Sequence, residues 1–191
     1  FLLLHYSILF SLHQISIKIG LECEYFPKYM NWLKQILKDY PIDYIILGNH
    51  FDETDETGID FGRPLNKQQL TKYVESCIAG IKTGLYSYVA HPDLAFYDTD
   101  DPFYTQEMTR LCQAAKEYQM PLEFNLLGYA THRQYPNETF FNIAKKVGNK
   151  VIIGTDAHES SALLDMNTYQ LGKQWLERLG LELTEDIKFL I

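Results

Sequence analysis

The chain has 191 residues, 46% hydrophobic and 22% charged, enough for one domain with a sizeable core and without the bias of a disordered chain. Its formal net charge of −8 argues against a nucleic-acid binder held by phosphate neutralisation. Cys23, Cys77 and Cys112 are widely spaced with no C-x-x-C pair, so they read as reduced thiols of a cytoplasmic protein rather than a disulfide framework or a zinc knuckle.

Phe1 to Leu12 is apolar but lacks a basic n-region and a small-residue cleavage site. The run bounded by His5 and His13 is too short to span a bilayer, so it reads as a buried element and no membrane partner is expected. The chain does not begin with Met, as a processed, trimmed or incomplete product would not. Residues 16–23 read as a strand, followed by a helix over Lys28–Asp39 with an apolar stripe of Trp32, Leu33, Ile36 and Leu37, stopped by Pro41. Asp43–Leu47 reads as a buried strand and residues 51–64 as a polar loop. A helix over Asn66–Ile81 with Leu70, Tyr73, Val74 and Cys77 on one face leads through Gly84 into a strand over 86–90.

The alternation continues with a loop from Pro92 to Pro102, a helix over Phe103–Tyr118 and a strand over 122–126. A long loop through Pro136 precedes a helix over Glu138–Val147, a turn at Gly148-Asn149, a strand over 150–154 and a final helix over Ser161–Leu179. No linker, repeat or low-complexity tract interrupts it, so residues 1–191 read as one domain. Strand–helix repetition at these intervals implies parallel strands joined by right-handed crossovers. About five such units are visible, where a closed barrel needs roughly eight. The fold is thus an open α/β sheet, or a barrel lacking two or three amino-terminal units.

Parallel α/β proteins gather their sites at the carboxyl ends of the strands, and there the chain places ligand-type side chains: Glu22, His50, His91, Asn125, and Asp156 with His158. In Gly154-Thr155-Asp156-Ala157-His158 the carboxylate suits hard cations such as manganese or magnesium and the imidazole suits zinc or iron, although Asp156 also reads as a helix cap beside an exposed His158. Pro92 biases His91 towards an extended backbone, with Asp93 either orienting the imidazole or serving a turn. His50 alone could be a loop histidine. Glu22 and Glu24 share one strand face with Cys23 opposite, and a carboxylate ending an apolar strand is costly to bury unless paired or metal-bound, whereas Glu24 also reads as an exposed strand-end residue. One metal cluster accounts for Glu22, His50, His91, Asp156 and His158 together.

The runs IKIGLECEYFP, ILGNHF, YVAHPDL and GTDAHE resemble the later motifs of the polymerase-and-histidinol-phosphatase (PHP) superfamily, in its histidinol-phosphatase branch, from about Ile15 onward. The resemblance implies a distorted seven-stranded TIM-like (β/α) barrel and phosphoester hydrolysis at two or three divalent metal ions, zinc, manganese or iron. By motif, Glu22 would bridge two metals, His50 and His91 would complete the second, Asp156 would belong to the first and His158 to the third. Arg133, with His132 as the lesser candidate, would grip the substrate phosphate from the loop after the strand at 122–126, although Arg133 also reads as a plain surface residue. The family's opening His-x-His motif and the Asp and His that follow it are not visible before Glu22, so an amino-terminal portion is expected to be missing.

The implied substrate is a small phosphate ester, histidinol phosphate of histidine biosynthesis, hydrolysed with metal-activated water and neutralised phosphoryl charge. The acidic loops at Asp52-Glu53-Thr54-Asp55-Glu56 and Asp98-Thr99-Asp100-Asp101 would favour a cationic substrate, or they are solvated loops. A phosphotyrosine-protein phosphatase or nuclease-like relative keeps the fold and changes the substrate. A truncated, non-catalytic metal-binding domain is the reading from a different class. Missing strands would expose a sheet edge that could drive association between copies.

Overall fold

The computed structural model describes residues 17–54 and 58–190, so the buried element expected at 1–12 lies outside the described residues. The elements are β1 (Gly20–Cys23), a 3-10 turn (Pro27–Tyr29), α1 (Met30–Asp39), β2 (Tyr44–Leu47), α2 (Lys67–Lys82) and α3 (Pro102–Glu117). They continue with β3 (Leu122–Asn125), α4 (Leu126–Ala130), α5 (Glu138–Val147), β4 (Lys150–Gly154), a 3-10 turn (Ala162–Leu164), α6 (Met166–Leu179) and β5 (Glu182–Leu183). Among the described residues no helix is long and apolar enough to cross a membrane.

All strand pairs are parallel: β1 with β2, β3 with β4, and β4 with β5. The strand expected at 86–90 is reduced to a bridge at Val89, which pairs with Leu47 on one side and Leu122 on the other. Gly84 at φ 67° and His91 at φ 74° turn the chain sharply at both ends, leaving only a short extended stretch between them. That stretch still bonds on both edges, Ser87 N to Ile45 O at 2.8 Å and Glu123 N to Val89 O at 2.9 Å, joining two short sheets into one parallel surface. Among the described residues β1 and β5 end this surface and do not pair with each other, so no closed barrel forms.

The segment after β5 crosses the amino-terminal side of the sheet. Ser87 Oγ donates to Lys188 O at 2.5 Å, Lys188 Nζ to Gly84 O at 2.7 Å, and Leu190 N to Asp43 O at 2.7 Å. The carboxyl ends of the strands are left to form a site.

Helix α2 buries Leu70, Tyr73, Val74 and Cys77, the face its periodicity predicts. Asn66 is its cap rather than its first residue: Asn66 Oδ1 accepts from Gln69 N at 3.0 Å while Gln69 Oε1 accepts from Asn66 N at 2.9 Å. Helix α6 starts at Met166 instead of Ser161 because Asp165 takes the Thr168 N–H at 3.0 Å and caps it there. In α1 only Leu33 of the expected stripe is buried, and Trp32 stands in solvent. Under the carboxyl half of the sheet, Phe124 packs against Phe141 and Trp175 with ring centroids 5.5 and 5.2 Å away.

Candidate metal centre

Parallel pairing sets Glu22 of β1 opposite Ile46 of β2, and the chain leaves β2 through Gly48 and Asn49 to His50. Gly48 is needed there: a methyl group on it would overlap the Glu22 carboxylate and lie 2.7 Å from Cγ. Glu22 Oε1 sits 2.9 Å from His91 Nε2 and 3.6 Å from His50 Nε2. One ligand-type atom from each of Glu22, His50 and His91 lies within 4.8 Å of the others. The two imidazole rings meet edge to face at 4.8 Å.

His91 is buried, and among the described residues its Nδ1 has no hydrogen-bond partner. Burial pushes His91 down, but the hydrogen bond to Glu22 and the carboxylates of Glu123, Glu22 and Asp156 raise it above its ordinary value. Burial pushes Glu22 up, yet the His91 hydrogen bond, with His91, His50 and His158 nearby, holds it below the usual carboxylate value. A buried imidazole with an unpartnered nitrogen, beside an ionised carboxylate and a second imidazole, is a donor set that fits a divalent cation.

His91 departs from the extended backbone expected before a proline: its φ is 74°, a left-handed conformation that costs about 1–3 kcal/mol in a non-glycine residue. The chain reverses at once, Leu94 N donating to His91 O at 3.2 Å. Asp93 serves this turn and makes no hydrogen bond to the imidazole. It is buried, accepts from Asn137 N at 2.6 Å and Asn137 Nδ2 at 3.2 Å, and so ties the reversal to the start of α5. Tyr73 Oη fixes the same turn through Pro92 O at 2.9 Å.

On the other side, Asn125 is not poised as a ligand. Its Oδ1 caps α4 by accepting from Gly128 N at 2.8 Å, and its Nδ2 donates to both Glu123 Oε2 and Asp156 Oδ2 at 3.1 Å. Asp156, at φ 47°, is held by this amide rather than by the amino terminus of a helix. His158 is exposed, with Nδ1 2.9 Å from Asp156 O. Glu123, which sequence reasoning left as an ordinary strand residue, is a buried carboxylate pushed up to about 7, chiefly by burial. Its signal was a charged residue inside an apolar strand, Leu122-Glu123-Phe124.

Glu22, His50, His91, Asp156, His158 and Arg133 all line one pocket of about 360 Å³, together with Asp60, Leu94, Gln134 and Tyr135. His132 is outside that lining. Arg133 reaches in from the segment after α4, and its Nη1 donates to Tyr135 Oη at 2.7 Å. Glu24, read as an exposed strand-end residue in one alternative, is instead half-buried with its carboxylate 2.7 Å from His50 Nδ1. The acidic loops serve structure: Asp52 binds Lys72 and the Ile59 N–H, and Asp101 caps α3 through Phe103 N at 2.9 Å. Asp55 and Glu56 lie outside the described residues.

No family model matches the chain. The chain is 27% identical over 121 residues to a "probable phosphatase" of Thermoanaerobacter sp. (strain X514) and, equally, to one of Thermoanaerobacter pseudethanolicus (strain ATCC 33223 / 39E). Each match covers 62% of this chain and 44% of the relative, so the chain spans less than half the length of the curated relatives it matches. Among solved structures it is similar to the histidinol phosphate phosphatase HisK of Lactococcus lactis subsp. lactis Il1403, a complex with zinc, L-histidinol and phosphate. That likeness has a TM-score of 0.74 at 16% identity, over 99% of this chain and 78% of the other. The hisK protein of Listeria monocytogenes gives a TM-score of 0.60 at 19% identity, over 86% and 72% of the two chains. The described elements therefore have the α/β fold of the HisK structures, with a three-residue cluster able to hold a metal at the carboxyl ends of the strands.

Proposed function

We propose that the protein is a metal-dependent phosphomonoesterase of the PHP histidinol-phosphatase type, acting on a small amino-alcohol phosphate such as histidinol phosphate. The observation that carries this reading is the meeting of Glu22, His50 and His91 within 4.8 Å, in a pocket that Arg133 also enters. A divalent ion bound there activates water and neutralises charge on the phosphoryl group. Glu22, His50 and His91 would hold one ion, with Asp156 and His158 supplying further ligands on the opposite wall. The zinc in the Lactococcus complex supports zinc for this site, and manganese and iron suit the same donors.

The residues themselves divide the work. Glu22 stays ionised as an acceptor because neighbouring imidazoles outweigh its burial. Arg133 offers a planar fork to phosphate oxygens, steadied by Tyr135 Oη. Three free thiols, two of them buried, suit a reducing cytoplasm.

Metal analysis of the purified chain, paired with phosphate release from histidinol phosphate and from phosphotyrosine, tests the proposal. Turnover with bound metal, lost in Glu22→Ala and His91→Ala, is the expected result. Phosphotyrosine preferred over histidinol phosphate would change the substrate class. Metal bound without turnover in a folded sample would leave only a binding domain.

A further inference from the structure

We infer that Glu24 is a positioning residue that sets the tautomer of His50, keeping its ring proton on Nδ1 and presenting Nε2 to the centre. This deepens the metal-centre reading and rests on it. Glu24 follows β1 directly and lies on the same side as Glu22, as period two requires. Its backbone is held by Tyr86 Oη, which donates to Glu24 O at 3.1 Å. Its carboxylate receives the His50 backbone N–H at 3.1 and 3.0 Å and approaches His50 Nδ1 at 2.7 Å. Both carboxylate oxygens already act as acceptors of the His50 backbone N–H, so the proton in that short contact belongs to Nδ1.

The neutral imidazole that ligates a metal then carries its lone pair on Nε2. That nitrogen faces Glu22 Oε1 at 3.6 Å, beyond a good hydrogen bond, so two electron-rich atoms confront each other. A cation between them turns this opposition into attraction. Among the described residues His91 has no counterpart to Glu24, for its Nδ1 is buried without a hydrogen-bond partner. The two imidazoles are therefore supported unequally: the His50 ring is held at Nδ1 by Glu24, whereas the His91 ring is bonded through Nε2 to Glu22.

The test uses the whole chain, free zinc ion as the probe, and the variants Glu24→Ala and Glu24→Gln. Glutamine keeps an acceptor for Nδ1–H without the charge. Competition titration should show zinc affinity lower by about 10–100-fold in Glu24→Ala, with a smaller loss in Glu24→Gln. Nitrogen NMR of labelled histidine in metal-free protein should show His50 protonated at Nδ1 in the wild type and moving towards the Nε2–H form in Glu24→Ala, with His91 unmoved. A merely structural role for Glu24 would not move that signature selectively. The inference is overturned if folded Glu24→Ala keeps the wild-type His50 tautomer and binds zinc within about twofold of it. Should Glu24→Ala not fold, the same two readouts on Glu24→Gln decide. Zinc affinity unchanged by Glu22→Ala would instead overturn the metal centre, and the metal-free tautomer would still decide whether Glu24 orients His50.

Discussion

Replacing Glu123 with Gln should stabilise the metal-free protein, and only above the pH at which an ordinary glutamate ionises. Glu123 is 3% exposed and receives Asn125 Nδ2 at 3.1 Å. Burial carries its pKa from 4.5 to about 7, with Asp156 and Glu22 adding to the rise against His91 and Asn125. Between those values the folded protein keeps a proton that the unfolded chain has lost. The unfolding free energy therefore falls with rising pH by about 1.4 kcal/mol per pH unit, reaching a total of roughly 3 kcal/mol above pH 7. Glutamine is neutral throughout and keeps the amide oxygen as an acceptor, so it escapes this loss. Asp93, also pushed up to about 7 by burial, titrates equally in both chains and cancels. Urea unfolding at several pH values measures the difference: the two proteins should agree within about 1 kcal/mol near pH 5 and diverge by roughly 3 kcal/mol in favour of Glu123→Gln at pH 8. A gap that ignores pH, or a variant weaker at pH 8, would refute the reasoning.

Gly48→Ala places a methyl group over the Glu22 carboxylate, 2.7 Å from Cγ, and should cost about 1–3 kcal/mol of stability while weakening zinc binding, read by thermal unfolding and competition titration. If Arg133 grips the phosphate as proposed, Arg133→Ala would remove a charge-assisted contact of about 1.5–3 kcal/mol, so kcat/KM for histidinol phosphate should fall about 10–100-fold with zinc affinity unchanged. Steady-state kinetics beside a zinc titration check it, and Lys at the same position should recover little because it lacks the fork. Asn66→Ala breaks the capping box of α2 and should lower the urea midpoint by about 1 kcal/mol of stability without touching zinc affinity.

Periodicity was enough for elements whose ends are marked by strong local chemistry. The α5 pattern over Glu138–Val147 and the strand over 150–154 match the structure at both ends because Asn137 caps the helix and Gly148, at φ 82°, breaks it. It was misleading at Tyr86–Ala90, where a five-residue strand pattern yields one bridged residue, Val89, between the turns at Gly84 and His91. His91 shows the same limit: the proline next to it favours extension, but the buried Asp93–Asn137 tie requires a reversal. The meeting of Glu22, His50 and His91 was legible because placement at a carboxyl end depends only on local pattern and fold class. Glu123, Glu24 and Asn125 were not, because what they do depends on partners across the sheet: His50, Asp156 and Gly154.

Those partners expose a common construction. Gly48 ends β2 and makes room for Glu22 from β1; Gly154 ends β4 and makes room for Glu123 from β3, where a methyl group would overlap the carboxylate and lie 2.6 Å from Cδ. Each carboxylate thus occupies space that the neighbouring strand gives up two residues before His50 or Asp156. Parallel register is what aligns donor and vacancy, Glu22 with Ile46 and Asn125 with Gly154. A slip of one residue would turn Glu22 and Glu24 to the opposite face and bring Cys23 to the site. The apolar packing that fixes register, Leu47 beside Val89 and Val89 beside Leu122, therefore determines the electrostatics of the centre although none of those side chains is polar.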